Sequence, residues 1–178
     1  MASKLIFGFG SLISEESMRA TTPNATDFKP AYIKGFYRDF SLWDPLGYTE
    51  TNLDLAGIPF PGLDVKKISD KNARVNGVTF RVEGADLEKI LIREAEYKLI
   101  ETTAYDYSTE RAIGKCSVFS SGKNNCAYDY DSAPLQRYLE IYLQAGKRFG
   151  NKYYLELLHT THVNGKTLDQ DSKLARYL

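Results

Sequence analysis

The apolar residues of this chain fall first into short alternating runs and only later into helical spacing, and that order restricts the fold more than any other feature. Residues 4–9 form a short apolar, aromatic run stopped by Gly10-Ser11. Residues 30–41 hold a second strand, and residues 73–82 a strong one in which Val75, Gly77, Thr79 and Arg81 alternate with the rest. Gly84-Ala85-Asp86 opens a helix of good helix formers that runs to about Tyr97. Strands follow over 99–107 and 112–120, with a turn at 121–125. A helix starts at Ser132-Ala133-Pro134, with Pro near its first position, and carries the stripe Leu135, Tyr138, Leu139, Tyr142, Leu143, Gly146. Another covers 152–159, and the last fifteen residues are polar and expected to wrap the surface. Strands first, one interrupting helix, helices last: the pattern is α+β with a mainly antiparallel sheet or barrel, not alternating βαβ units. Ser14 caps a helical turn with Glu15 and Glu16 in its first turn. Residues 44–62 are rich in Pro and Gly around a possible strand at 52–56, and read as a long surface excursion.

With 178 residues, of which 43% are hydrophobic, the chain reads as one domain over 1–178 with an ample core. Its 23 basic residues balance 23 acidic ones. A phosphate-backbone binder needs a basic excess, so no nucleic-acid partner is expected. No run approaches 18 apolar residues, so no membrane span is expected. Lys4 followed by residues 5–13 imitates a short signal-peptide core. The two Gly, the Ser, the missing cleavage site and Glu15-Glu16 favour a buried first strand, hence a cytoplasmic protein with free thiols at Cys116 and Cys126. Asn24-Ala25-Thr26 is then a glycosylation acceptor in name only. Tyr supplies 13 residues and Trp only one, which suits a polar, lined cavity as well as aromatic-rich strands.

Two features carry chemistry. In the middle helix Leu87, Ile90, Leu91 and Glu94 lie at i, i+3, i+4 and i+7 and share one face, whereas Lys89, Arg93 and Glu96 fall on the other. Glu94 is thus placed inward, at the negative end of a helix dipole, and both effects raise its pKa toward the range of a general acid or base. A structural Glu paired with a buried Arg or a Tyr hydroxyl satisfies the same pattern. The second feature is the end of the first strand, Phe7-Gly8-Phe9-Gly10-Ser11-Leu12, where successive backbone N–H groups can face an anion. A plain turn fits too, and the third Gly of a dinucleotide fingerprint is missing. Poorer candidates are His159 and His162, three apart, as metal ligands, and Cys116 or Cys126 as a nucleophile with His159 as base.

On these residues the chain resembles the gamma-glutamylcyclotransferase-like family, including its ChaC-like branch. Residues 7–13 resemble that family's Tyr-Gly-Ser-Leu loop, with Phe9 in place of the usual Tyr, and Ser17-Met18-Arg19-Ala20-Thr21 continues similarly. Residues 75–82 resemble its Gly-Val-x-Phe strand, Arg93-Glu94-Ala95-Glu96-Tyr97 its Arg-Glu-x-x-Tyr pattern, and residues 134–161 the C-terminal helical pair of one bacterial branch. The resemblance implies a small barrel of about six strands with peripheral helices. It implies a cofactor-free and metal-free cyclisation of a small-molecule γ-glutamyl substrate to 5-oxoproline. Glu94 would be the acid/base, the N–H groups of Gly10, Ser11 and Leu12 the carboxylate cradle, and Phe9 and Tyr97 lining residues, with Tyr105 and Tyr107 as further candidates. Two other readings stay open: a binding or regulatory domain that keeps the cavity without turnover, and a lyase or transferase acting on a γ-glutamylated product other than a dipeptide.

Overall fold

The computed structural model of the protein describes residues 3–44, 60–95, 97–121 and 133–171. Nine strands and four helices follow one another as β1 (Lys4–Gly8), α1 (Glu15–Thr21), β2 (Thr26–Lys34), β3 (Phe36–Asp44), β4 (Phe60–Lys67), β5 (Arg74–Val82), α2 (Gly84–Arg93), β6 (Lys98–Asp106), β7 (Ala112–Ser120), α3 (Ala133–Lys147), α4 (Asn151–Thr160), β8 (Thr161–Val163) and β9 (Lys166–Thr167) among the described residues. A 3-10 turn, Ser11–Ile13, joins β1 to α1.

Five strands close a barrel in the order β1-β5-β2-β6-β7, and a second sheet runs β4-β3-β8-β9. The pairing is antiparallel except where β1 meets β7 and β3 meets β8. The barrel therefore has five strands, not six. Residues 30–41 belong to two strands: β2, in the barrel, ends at Lys34, and β3, in the second sheet, begins at Phe36. Gly35 between them has φ +75°, a conformation open to glycine, and it sends the chain from the barrel into the second sheet. β8 and, from the polar C-terminal stretch, β9 extend that sheet, an edge that composition concealed. The excursion at 44–62 contributes β4 from Phe60 onward; its possible strand at 52–56 and the turn at 122–125 lie outside the described residues.

Ile6, Phe7, Ile33, Val78, Phe80, Ala104 and Val118 on the barrel strands are all essentially inaccessible, on both faces of the barrel wall. β5 is buried along both faces, so alternation understated its burial. The cause is α4, which packs on its outer side: Tyr153 donates its hydroxyl to the Gly77 carbonyl at 2.9 Å, and the Asn76 amide donates to the Tyr153 carbonyl at 2.9 Å. Two buried polar groups join sheet to barrel. Asp64 on β4 accepts from the Ser121 N–H and hydroxyl at the end of β7, and burial pushes its carboxyl above the usual range. Arg38 on β3 is wholly inaccessible. It donates to the Asn76 carbonyl at 2.6 Å, the Asn76 amide oxygen at 2.9 Å, the Thr160 hydroxyl at 2.7 Å, and more weakly to the carbonyls of Phe9 and Leu157 at 3.4 Å. No carboxylate pairs with it among the described residues, so neutral dipoles hold a buried cation in place.

Lysine at position 38 keeps the charge but loses the planar fork that reaches β1, β5 and α4 together. Arg38→Lys is expected to destabilise the fold by about 3 kcal/mol. That corresponds to a fall in Tm of roughly 6–12 °C for a chain of this size, readable by thermal denaturation.

Candidate active site

Glu94 sits just past the last turn of α2, which ends at Arg93 rather than continuing to Tyr97. Its backbone leaves helical geometry at φ −102°, ψ 26°, and its N–H bonds back to the Ile90 carbonyl at 3.0 Å. The inward face of α2 is also rotated from the expected one. Asp86 and Ile90 are buried, Leu87 packs partly against the core, and Leu91 is exposed. The buried stripe therefore runs 86, 90, 93, 94, at i, i+4, i+7 and i+8. Glu94 faces inward, but so does Arg93, which was expected on the solvent face: their side chains are 11% and 4% exposed. Glu96 lies outside the described residues.

Arg93 is a hub. It donates to the Thr21 hydroxyl at 2.7 Å, the Ser17 carbonyl at 3.1 Å, the Ser17 hydroxyl at 3.3 Å and the Ser11 hydroxyl at 3.1 Å. Its Nε lies 3.3 Å from a carboxylate oxygen of Glu94. One guanidinium thus fixes α1, the turn after β1 and the end of α2 relative to one another. Burial raises the Glu94 pKa above the usual carboxylate range, and the Arg93 charge only partly opposes it.

The turn after β1 supplies a second part of the lining. Ile13 N–H bonds to the Gly10 carbonyl and Ser14 N–H to the Ser11 carbonyl, so the turn does not itself use the N–H groups of Gly10, Ser11 and Leu12. Glu94, Phe9, Gly10, Ser11, Leu12 and Tyr97 line one cavity, closed by Phe7, Leu63, Phe119 and Tyr138. Tyr97 donates its hydroxyl to the Leu63 carbonyl at 3.4 Å, across to β4. The cavity is small, about 20 Å³, or roughly one water. Tyr138 is one of its walls. Its hydroxyl accepts the Ser11 N–H at 3.0 Å, and a Cβ on Gly10 would collide with it. A glycine at position 10 is needed for any group to come so close to the turn.

Tyr138 stood in the helical stripe of α3 as a core residue, and Arg93 only as a neighbour of Glu94. Neither spacing nor composition showed that the Tyr138 hydroxyl reaches β1. Tyr142, from the same stripe, is core: its hydroxyl meets that of Thr161 at 2.8 Å. Tyr105 and Tyr107 do not line the cavity. Tyr105 stacks on Tyr32, and Tyr107 donates to Glu156 at 2.9 Å. His159 pairs with Asp169 at 2.7 Å, and His162 lies 3.3 Å from the Arg38 carbonyl, so the two imidazoles are engaged separately. No cluster of His, Cys, Asp and Glu suited to a metal occurs among the described residues. Cys116 is buried and its thiol is pushed up to about 12, which leaves it inert as a nucleophile; Cys126 lies outside the described residues.

The five-stranded barrel with its peripheral helices is the fold of solved gamma-glutamyl cyclotransferases. The structure matches a solved gamma-glutamyl cyclotransferase over 98% of this chain and 97% of that one, at 19% identity and a TM-score of 0.63. It matches an uncharacterized protein from Homo sapiens over 99% and 98%, at 19% identity and a TM-score of 0.66. A yeast gamma-glutamyl cyclotransferase specific to glutathione matches over 99% and 97%, at 14% identity and a TM-score of 0.58. No curated protein matches the sequence significantly. The model of ChaC-like proteins matches residues 4–178, and the chain belongs to that family.

Because burial raises its pKa, Glu94 contributes stability while it is protonated, below the unfolded value of about 4.3. That contribution is lost as pH rises through the folded value. Glu94→Gln mimics the neutral form. Its Tm is therefore expected to equal or exceed that of the wild type at pH 7, with the two converging near pH 4. A variant that melts well below the wild type at pH 7 would show that the Arg93–Glu94 contact is a structural ion pair.

Proposed function

We propose that the chain is a γ-glutamylcyclotransferase-type enzyme that closes the γ-glutamyl group of a small-molecule amide into 5-oxoproline, with Glu94 as general acid/base. The observation that supports this reading is the cavity that Glu94 and the Gly10–Leu12 turn line together. Membership of the ChaC-like family supports it. The yeast relative named as specific to glutathione makes glutathione a candidate substrate.

The proposed chemistry is self-contained. Glu94 takes a proton from the substrate's α-ammonium, and the freed amine attacks the γ-carbonyl carbon. A new C–N bond closes the five-membered lactam. The original amide C–N bond breaks as Glu94 returns that proton to the departing nitrogen; the second proton, shed by the attacking nitrogen as it becomes the lactam N–H, follows the same path, so the amine leaves as its ammonium. No water, electron or cofactor enters the balance. Attack within one molecule removes much of the entropic barrier, which leaves proton transfer as the enzyme's task. A carboxylate with a raised pKa suits both halves of it. The N–H groups of Gly10, Ser11 and Leu12 would hold the α-carboxylate, and Arg93 would set the distance between them and Glu94. Phe9 and Tyr97 would line the pocket around the glutamyl chain.

Incubation with γ-glutamyl dipeptides, γ-glutamyl amines and glutathione, with 5-oxoproline as the readout, tests the proposal. Glu94→Gln is expected to lower kcat by at least ~100-fold, while Glu96→Gln retains activity. In the wild type kcat/KM should rise with pH along a limb lying above about 4.3, the ordinary Glu value. Equal loss from both substitutions would mean that the wrong carboxylate was chosen.

Tyr138 holds the Ser11 N–H that the substrate carboxylate would need. Displacing it opposes binding, so Tyr138→Phe is expected to lower KM about threefold. An increase in KM would show that the hydroxyl binds substrate instead. The same occupied cradle favours a second reading, a binding domain without turnover. That reading gains if no γ-glutamyl compound yields 5-oxoproline but such compounds raise the Tm.

A further inference from the structure

A larger cavity, about 230 Å³, lies between α1 and α3 on the other side of Tyr138. It shares Ser11 and Tyr138 with the Glu94 cavity, so one tyrosine ring is the partition between them. Hydroxyls of Ser14 and Ser17 line the α1 side, and Gln144 and Arg148 the α3 side, with Ile141 as an apolar patch. Glu140 lies 3.4 Å from Arg137 and offsets its charge. Arg148 is exposed and has no ion-pair partner among the described residues. The Ser17 hydroxyl also accepts from Arg93, but nothing in the chemistry assigned to Glu94 uses Gln144 or Arg148.

The Glu94 cavity is small and adjoins the α1–α3 cavity at Ser11 and Tyr138, so the larger cavity is the neighbouring space into which a substrate extends beyond its glutamyl group. If the α-carboxylate takes the Ser11 N–H, the Tyr138 hydroxyl is displaced from it, and the partition is the part that moves. We propose that the α1–α3 cavity is the subsite for the departing amine, and that Arg148 selects amines that themselves bear a carboxylate, such as an amino acid or a short peptide. The proposal rests on the cyclotransferase reading of the Glu94 site. Ser14, Ser17 and Gln144 offer donors and acceptors to a peptide unit, and Arg148 offers the cation that a terminal carboxylate pairs with. The carboxylates of Glu16 and Glu140 on the same rim disfavour a polyanion.

Initial rates of 5-oxoproline release from γ-glutamylglycine and from uncharged γ-glutamylmethylamide test this. For each protein the readout is the ratio of the two kcat/KM values. Arg148→Glu is expected to lower the carboxylate-to-neutral ratio at least ~fivefold. Arg148 is exposed at the end of α3, so the substitution leaves the fold in place. Ala20→Trp, which narrows the same cavity from α1, is expected to lower kcat/KM for γ-glutamylglycine more than for the methylamide. If the wild type turns over both substrates and neither variant shifts the ratio, the subsite assignment is wrong and the cyclotransferase reading stands. If the wild type releases 5-oxoproline from neither of these nor from glutathione, both readings fall together.

Discussion

The buried Arg38 guanidinium is the constraint on which the remaining geometry rests. It lies in the second sheet, yet its partners are the carbonyl of Phe9 after β1, Asn76 on β5, and Leu157 and Thr160 on α4. The Tyr142 ring lies against it at 5.5 Å. A cation so enclosed is tolerated only where enough oxygen dipoles converge on it. The convergence sets where β1 ends, and the turn that follows β1 is one wall of the cavity. The position of the N–H groups of Gly10, Ser11 and Leu12 is thus tied to the packing of sheet on barrel.

Arg93 does the corresponding task nearer the chemistry. It joins Ser11, Ser17 and Thr21 to the end of α2, and it lies against Glu94. Its charge alone would favour an ionised Glu94. Burial outweighs it, so the carboxyl stays above its ordinary pKa. The pair therefore combines rigidity with a carboxyl held above its ordinary pKa, the condition that the proposed acid/base role requires.

Much of this was legible in the residues. The strong strand at 73–82, the strands near 99–107 and 112–120 and both C-terminal helices show clear periodicity, and all five appear in the structure. The inward direction of Glu94 followed from its spacing to Ile90, although the true stripe is rotated toward Asp86 and Arg93. The second sheet was hidden because β8 and β9 are short and polar, and because one glycine divides β2 from β3. The Tyr138 contact was hidden for a different reason. Helical spacing tells which residues point inward, but not that a hydroxyl 127 positions away ends on the Ser11 N–H. Part of the tyrosine surplus lies at this cavity, in Tyr97 and Tyr138, and part in the core, in Tyr142 and Tyr153. No helix among the described residues is long and apolar enough to cross a membrane.

The central claim is that Glu94 and the Gly10–Leu12 turn, about 80 residues apart in the chain, act on one small molecule. A crystal structure with 5-oxoproline bound tests it most directly. The account predicts the carboxylate on the Ser11 N–H, the Tyr138 hydroxyl displaced from it, and the lactam nitrogen within hydrogen-bonding distance of Glu94. A 5-oxoproline molecule bound away from this cavity, or seated in it with Glu94 out of reach, would contradict it.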